Sequence, residues 1–500
     1  MFAPTPASPA DEQSVRATLR SPRRLRREVL AGLVVALALI PEAIAFSIIA
    51  GVDPRVGLFA SFTMAVTIAI AGGRPAMISA ATGAVALVVA PLTRRYGLEY
   101  LLATVILAGA FQLVFGGLGL AKLMRFVPRS VMVGFVNALA ILILMAQLPH
   151  LRHVPWLVYP MVAVGVAVIV MLPKLTTVIP APLVAIVVLT AVTIGLGWSV
   201  PAVGDQGELP ASLPALLLPH VPLTTHTLAI IAPYAFAMAL VGLLESLMTA
   251  RLVDDITDTH SNKTREALGQ GAANIVTGLF GGMGGCAMIG QTMINVKISG
   301  ARTRISTFSA GSLLLALVMG LGGLVAKIPM AALVAVMITV SVATLDWHSI
   351  KPKTLRHMPK SETFVMLSTV AVTVATDNLA YGVAVGTMAA MVLFARRVAH
   401  LTDVVEIAHP DDDTRVYAVK GELFFASSND LVYQFDYTAD SANVVIDMSA
   451  AHIWDASSVA TLDAIAEKFK SRGKTVTLVG MNDHSAERHA QLSELLAGAR

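Results

Sequence analysis

The chain has 500 residues, 56% of them hydrophobic and only 14% charged, with a mean hydropathy of +0.73. A soluble domain usually carries about a quarter charged residues, so these values exclude an ordinary soluble enzyme or binding module. The net charge of +4 conceals a split, because residues 401–500 hold eight basic and sixteen acidic residues and leave +12 for the remainder. Between Val29 and Gly204 the only acids are Glu42, Asp53 and Glu99. Composition therefore describes a polytopic α-helical membrane protein with a soluble, acidic C-terminal domain, and its single cysteine, Cys286, rules out an intrachain disulfide.

The first 27 residues are rich in Pro, Ala and Arg and end SPRRLRR, followed by Glu28 and the apolar run Val29–Ala50. That run is long enough to span a bilayer, and its flank lacks a clear cleavage site, so residues 1–27 are expected to be a cytoplasmic segment rather than a signal peptide. The arginines anchor to lipid and do not indicate a nucleic-acid partner. Further apolar segments are predicted near 56–72, 98–118, 127–147, 155–172, 180–197, 226–250, 266–280, 303–325, 328–345, 361–378 and 381–398. Two shorter ones, 79–91 and 286–297, complete fourteen. With both termini in the cytoplasm, most basic loop residues fall inside, from Lys122, Arg125 and Arg129 through Lys263, Arg265, Arg302 and Arg304 to Arg396 and Arg397. The exceptions are Arg94, Arg95, Arg152 and Lys327.

Fourteen segments divide into 28–197 and 226–400, seven in each. An odd number per half makes the second half enter in the opposite orientation, the condition for an inverted-topology repeat. The third segments correspond: GGRPAMISAATG at 72–83 and GGMGGCAMIGQT at 281–292 share a glycine pair and the tripeptide AMI. The remainder, 403–500, reads as a small α/β domain, with strands at RVYAVKG, NVVIDMS and KTVTLVG and helices at SSVATLDAIAEKFKSRG and HSAERHAQLSELLAG.

Non-helical backbone inside a membrane survives only where protein or water satisfies it. The two glycine-broken segments are therefore expected to reach mid-membrane in extended form, each followed by a half-helix whose N-terminus faces the other. Free N–H groups and about half a positive charge at each end would make an anion site without a cationic side chain. Ser79, Ala80, Ala81, Thr82 and Gly83 would line one side, and Ala287, Met288, Ile289, Gly290 and Gln291 the other. Glu42, after Pro41 in the first span, and Glu245, in the eighth, hold equivalent places in the two halves. An ionised carboxylate at mid-bilayer costs several kcal/mol. Beside an anion site, protonation of the acid favours the anion and the anion favours protonation, which is the basis of proton–anion symport. Asn137, Gln147 and Asn274 are read as interhelical hydrogen-bonding residues, and Asp254, Asp255 and Asp258 as a solvated helix end. No phosphate-binding loop, zinc motif or nucleophile elbow is present, so neither an enzyme nor a cofactor or metal is expected.

LALIPEAIAFSIIAGVDPRVGLFAS (37–61), LLESLMTARLVDD (243–255) and GGMGGCAMIGQTMINVKISGARTRIS (281–306) resemble signatures of the sulfate permease family, which includes the animal solute-carrier anion exchangers. The tail resembles a STAS domain. The resemblance implies a core domain (segments 1–4 and 8–11) bearing the anion site and a gate domain (5–7 and 12–14). It also implies elevator-like transport of sulfate, bicarbonate or a C4-dicarboxylate such as fumarate, and a homodimer in the inner membrane. It places Glu42 and Phe46 in the anion site and makes Glu245 the acid of proton coupling. Two departures stand out: Glu42 replaces a neutral Gln, and Gln291 stands where many members have Arg. Both make the site less positive and favour proton-coupled uptake, with a dicarboxylate first. An anion exchanger, a nucleobase–proton symporter of the same architecture, and a channel or sensor are the alternatives. In IDMSAAHIWDASSVATL, Ala456 occupies the position phosphorylated in soluble relatives, leaving Ser457 and Ser458 open.

Overall fold

Proline and glycine punctuate the first half of the chain. In the computed structural model, which describes residues 13–119, 127–175, 180–399, 402–411, 413–428 and 430–497, α1 (Pro22–Ala50) begins with a proline, whose missing N–H costs nothing there, and ends at Gly51 with φ 77°. A proline also opens α2 (Pro54–Ala71). After an extended stretch come β1 (Ser79–Ala80) and α3 (Gly83–Gly117), which bends at Gly97, φ 81°. α3 thus covers two predicted segments, and the half-helix starts at residue 83 rather than 79. α4 (Arg129–Met145), α5 (Val158–Met171) and α6 (Ala181–Gly195) complete seven segments.

The second half repeats the plan with α7 (Thr225–Thr257), α8 (Lys263–Leu279), β2 (Cys286–Ala287) and α9 (Ile289–Met293), which a π-helical turn prolongs to Ile298. α10 (Arg304–Val325), α11 (Met330–Thr344), α12 (Lys360–Thr376) and α13 (Leu379–Ala399) follow. Among the described residues seven helices are long and apolar enough to cross a membrane, while α5, α6 and α11 are shorter apolar helices. Lys122, Arg125, residue 400, residues 1–12 of the predicted N-terminal segment and residues 498–500 of the predicted tail lie outside the described residues.

Packing sorts the helices into two groups, each drawing on both halves. α10 packs on α1 and α2, and α8 on α2 and α3, with α7 against α3; this is the core. α12 packs on α4, and α11 on α4 and α5, with α6 beside α5; this is the gate. β1 and β2 pair antiparallel, Ser79 opposite Ala287 and Ala80 opposite Cys286. This pairing overturns the register read from the shared AMI. The first tripeptide (76–78) precedes its strand, whereas the second (287–289) straddles strand end and helix start. Topologically, Thr82 and Met288 are the equivalent helix-start residues. The two tripeptides match in letters, not in place.

Polar side chains hold the extended segments. Asn274 of α8 accepts from the Gly285 N–H at 2.9 Å and donates to Gln112 at 2.9 Å and to the Gly285 carbonyl at 3.1 Å. Glu266 accepts from the N–H groups of Gly73 and Arg74 at 2.7 and 3.0 Å. Arg304 and Arg265 donate to carbonyls of the last turn of α2 and of Gly72, supplying cations where the helix end is electronegative. Asp254 is not solvated as expected. It pairs with buried Arg74 at 3.0 Å and with Lys263 at 2.5 Å. Asn137 does bond across elements, to Ser349 and the Asp346 N–H, whereas Gln147, in the turn after α4, donates back to the Ile143 carbonyl of that helix.

Within α13 the chain divides into units of residues 1–387 and 388–500. The second unit contains β3 (Asp403–Asp411), β4 (Thr414–Leu423), β5 (Asn443–Ile453), α14 (Ala456–Lys470), β6 (Thr475–Val479) and α15 (Asp483–Ala497). The sheet order is β3-β4-β5-β6, antiparallel for the first pair and parallel for the others. β3 escapes the sequence reading because its acids and Pro410 mask the alternation expected of a strand. Tyr417, Phe435 and Phe469 centre its core. Asp455 caps α14 by accepting from the Ser458 N–H at 3.0 Å and its hydroxyl at 2.7 Å, and Ser458 is buried. Of the two serines left open at this loop, only Ser457 is exposed.

A Cβ on Gly285 would lie 2.0 Å from the Ala80 carbonyl oxygen, whereas one on Gly117 would meet nothing within 4 Å. Gly285→Ala is therefore expected to destabilise by about 3 kcal/mol or more through forced separation of the strands. Gly117→Ala should be neutral or stabilising by up to about 1 kcal/mol. Thermal unfolding of the two variants in detergent checks the contrast. Asp455→Ala should cost about 1 kcal/mol through the lost cap, read as an earlier melting transition of the C-terminal unit.

Candidate functional site

The strand pair delivers two helix starts to one cavity of ≈ 440 Å³. From the first, Thr82 and Gly83 reach the wall; from the second, Met288, Ile289, Gly290 and Gln291. α1 contributes Glu42 and Phe46, α7 contributes Glu245 and Met248, and the opposite wall comes from the gate through Phe135, Leu139, Ile143 and Thr339. The cavity thus lies between core and gate. Its described lining contains no Lys, Arg or His.

Local sequence explains the placement. Thr82 adopts extended backbone and caps its helix, its hydroxyl accepting from the Val85 N–H at 3.4 Å. A Cβ on Gly83 would approach Phe46 Cε1 at 2.9 Å and Ile143 Cδ1 at 3.1 Å, so any side chain there would have to displace these two side-chain ends. Gly290 is different. Nothing lies within 4 Å of its Cβ position, so the cavity opens there.

The two acids are nearly closed to solvent, at 9% exposure for Glu42 and 8% for Glu245. Gln291 Nε2 donates to Glu42 Oε1 at 2.8 Å, tying the first helix to the second half-helix. Cys286 Sγ donates to Glu245 Oε2 at 3.0 Å, and the same sulfur lies 3.1 Å from Thr82 Oγ1. Both acids therefore bond to the second glycine-broken segment. This departs from a strict two-fold arrangement.

The other residues singled out in the sequence do not line the cavity. Ser79, Ala80 and Ala287 form the strand pair itself. The Ser79 hydroxyl accepts from Gln270 at 2.7 Å, the Ala81 N–H donates to Ser61 at 3.3 Å, and the Ala287 N–H donates to Ser246 at 3.0 Å. These four satisfy backbone and neighbours behind the wall. Sequence reasoning missed Cys286, weighed only as a disulfide partner, although it stands beside AMI in the quoted motif. It also missed the gate residues, whose apolar spans carry no polar signal. Among the described residues no cluster of His, Cys, Asp or Glu is arranged to hold a metal.

The sequence profile described as "Sulfate permease family" matches residues 25–171 and 152–369, and that of the STAS domain matches residues 405–497. The chain is 52% identical over 470 residues to "Putative sulfate transporter YbaR" of Bacillus subtilis, covering 94% of this chain and 97% of that one. It is 27% identical over 524 residues to the bicarbonate transporter BicA of a Picosynechococcus species, covering 94% and 91%. Among solved structures, the transmembrane domain of a cyanobacterium bicarbonate transporter BicA is similar with TM-score 0.65 and 28% identity, over 72% of this chain and 98% of that chain. The overall structure of SLC26A9 is similar with TM-score 0.81 and 15% identity, over 99% and 89%, a likeness of fold alone. With that profile spanning most of the helical region and the strand-linked half-helices at its centre, the chain belongs to the sulfate permease family of membrane transport proteins and carries a C-terminal STAS domain.

Proposed function

We propose that the chain is a secondary active transporter that carries a small anion together with a proton, the anion held in the cavity between the two helix starts. One observation carries the reading: a cavity facing both core and gate contains two buried carboxyl groups and no cationic side chain among its described lining. An ionised pair there would repel an anion. Protonation of either acid lessens that repulsion and turns a carboxylate acceptor into a donor. The anion and the proton thus favour each other's binding, and the linkage is reciprocal.

The binding groups are Thr82, Gly83, Met288, Ile289, Gly290 and Gln291, with Phe46 beside Gly83 and the acids Glu42 and Glu245. Ser79, Ala80, Ala81 and Ala287 hold the backbone that positions them. The core would carry this site past the gate in an elevator movement, the protein would act as a homodimer in the cytoplasmic membrane, and both termini would face the cytoplasm. The membrane unit would run over residues 28–400, with repeats 28–197 and 226–400, between an N-terminal segment of residues 1–27 and a STAS domain of residues 403–500. The relatives' names direct attention first to sulfate and then to bicarbonate. A C4-dicarboxylate remains in view because a substrate carboxylate can share a proton with Glu42.

Uptake of radiolabelled sulfate, bicarbonate and fumarate into proteoliposomes, with and without an inward proton gradient, tests the reading. One anion is expected to accumulate only with the gradient. Glu245→Gln should abolish that accumulation while leaving equilibration. Glu42→Gln, whose amide can still meet Gln291, removes one charge that repels the anion and should lower KM at neutral to alkaline pH by about tenfold. Uptake that ignores the gradient and requires an internal counter-anion would make the protein an exchanger.

A further inference from the structure

Glu245 does not act on the cavity only through space. Its Oε2 receives the Cys286 thiol at 3.0 Å, and the same sulfur lies 3.1 Å from the Thr82 hydroxyl, which lines the cavity wall. Cys286 is fully buried, with its Cβ close behind Gly242 and its strand paired to β1. A thiol has one proton to give and a sulfur that accepts weakly. In a chain of three such groups the proton positions are not independent.

With Glu245 ionised, the carboxylate can only accept. The thiol must then donate to it, and the sulfur is left to accept from Thr82, so the threonine proton points into the protein. With Glu245 protonated, its O–H can donate to the sulfur, the thiol proton turns to Thr82 Oγ1, and the threonine proton is released to point into the cavity. No covalent bond forms or breaks. The only proton added is the one on Glu245.

We propose that Cys286 is a positioning residue that reports the protonation of Glu245 to the anion site, by setting whether Thr82 presents a hydrogen-bond donor to the cavity. This rests on Glu245 being a coupling acid, as in the symport reading, and deepens it. The sign is that of symport: the protonated acid yields one more donor for the anion. Few other charged groups bear on Glu245. Glu42 of α1 shares the cavity. Glu266 of α8 is committed to Gly73, Arg74 and Gln270. Arg94, Arg95 and Glu99 of α3, Arg251 of α7 and Lys297 beyond α9 are all exposed, and Asp254 is paired with Arg74 and Lys263.

Because the chain has a single cysteine, its S–H stretching band in infrared spectra of the purified full-length protein reports this one group. The band is expected to move to higher frequency as pH falls and the thiol exchanges a carboxylate acceptor for a hydroxyl, and to stay fixed in Glu245→Gln. A band that ignores pH in the wild type while transport KM depends on pH overturns the relay. In reconstituted transport, one linked proton can change the apparent KM by at most about tenfold per pH unit. Cys286→Ala should flatten that slope to less than about threefold, and Cys286→Ser, which keeps one donor and one acceptor, should restore it. A merely structural role would lower uptake equally at every pH with the slope intact, and would overturn the proposal. A wild type whose KM is independent of pH removes the symport reading itself and the relay with it. A pH-dependent wild type whose Cys286→Ala variant keeps the full slope removes the relay alone.

Discussion

Everything at the centre of this protein depends on the antiparallel pairing of two residues with two others. Ser79–Ala80 and Cys286–Ala287 bring extended backbone deep into an apolar interior, where an unpaired N–H or C=O costs several kcal/mol. The strands satisfy part of that demand in each other. The remainder is met by side chains spaced along the flanking helices: Asn274 on Gly285, Ser246 on Ala287, Ser61 on Ala81 and Thr292 on Ile78. Remove the pairing and neither helix start has a reason to stop at the cavity.

The ends of these lead-in segments are fixed by charge. Glu266 receives two N–H groups of the GGRP stretch, Arg74 folds onto Asp254, and Arg304 and Arg265 close the C-terminus of α2. Glu28 does the converse for α10, accepting from the N–H groups of Arg302 and Thr303 at its start. Cations that mark topology in the sequence are thus also helix caps in the structure. One residue serves both the inside-positive bias and the electrostatics of a buried helix terminus.

The cavity unites these constraints with transport. Its core wall is built from helix starts whose backbone is pinned, and sets Glu42, Thr82, Glu245 and Gln291 among apolar side chains. Its gate wall is mostly apolar, from Phe135, Leu139 and Ile143, with Thr339 and Thr344 as its hydroxyl-bearing residues. The two acids are asymmetric, both bonded to the second broken segment: Glu42 through Gln291 of α9 and Glu245 through Cys286 of β2.

Much of this architecture is legible in the amino-acid sequence because it is written in local chemistry. Apolar runs set the segments, basic loops set the expected orientation, and the parity of seven per half sets the inversion. Glycine pairs mark the breaks because helix cannot continue cheaply through them. The buried acids stand out for the same reason: their cost in lipid is independent of what they touch. What only the tertiary structure decided is contact across sequence distance. The repeat register follows the strand pairing and not the shared AMI, Ser79 and Ala81 turn away from the cavity while Thr82 turns toward it, and Asp254 pairs with buried Arg74. Cys286 comes to lie between Thr82 and Glu245. Each of these depends on which backbone lies beside which, set by close packing between residues about two hundred positions apart, and no local pattern in an apolar span records it.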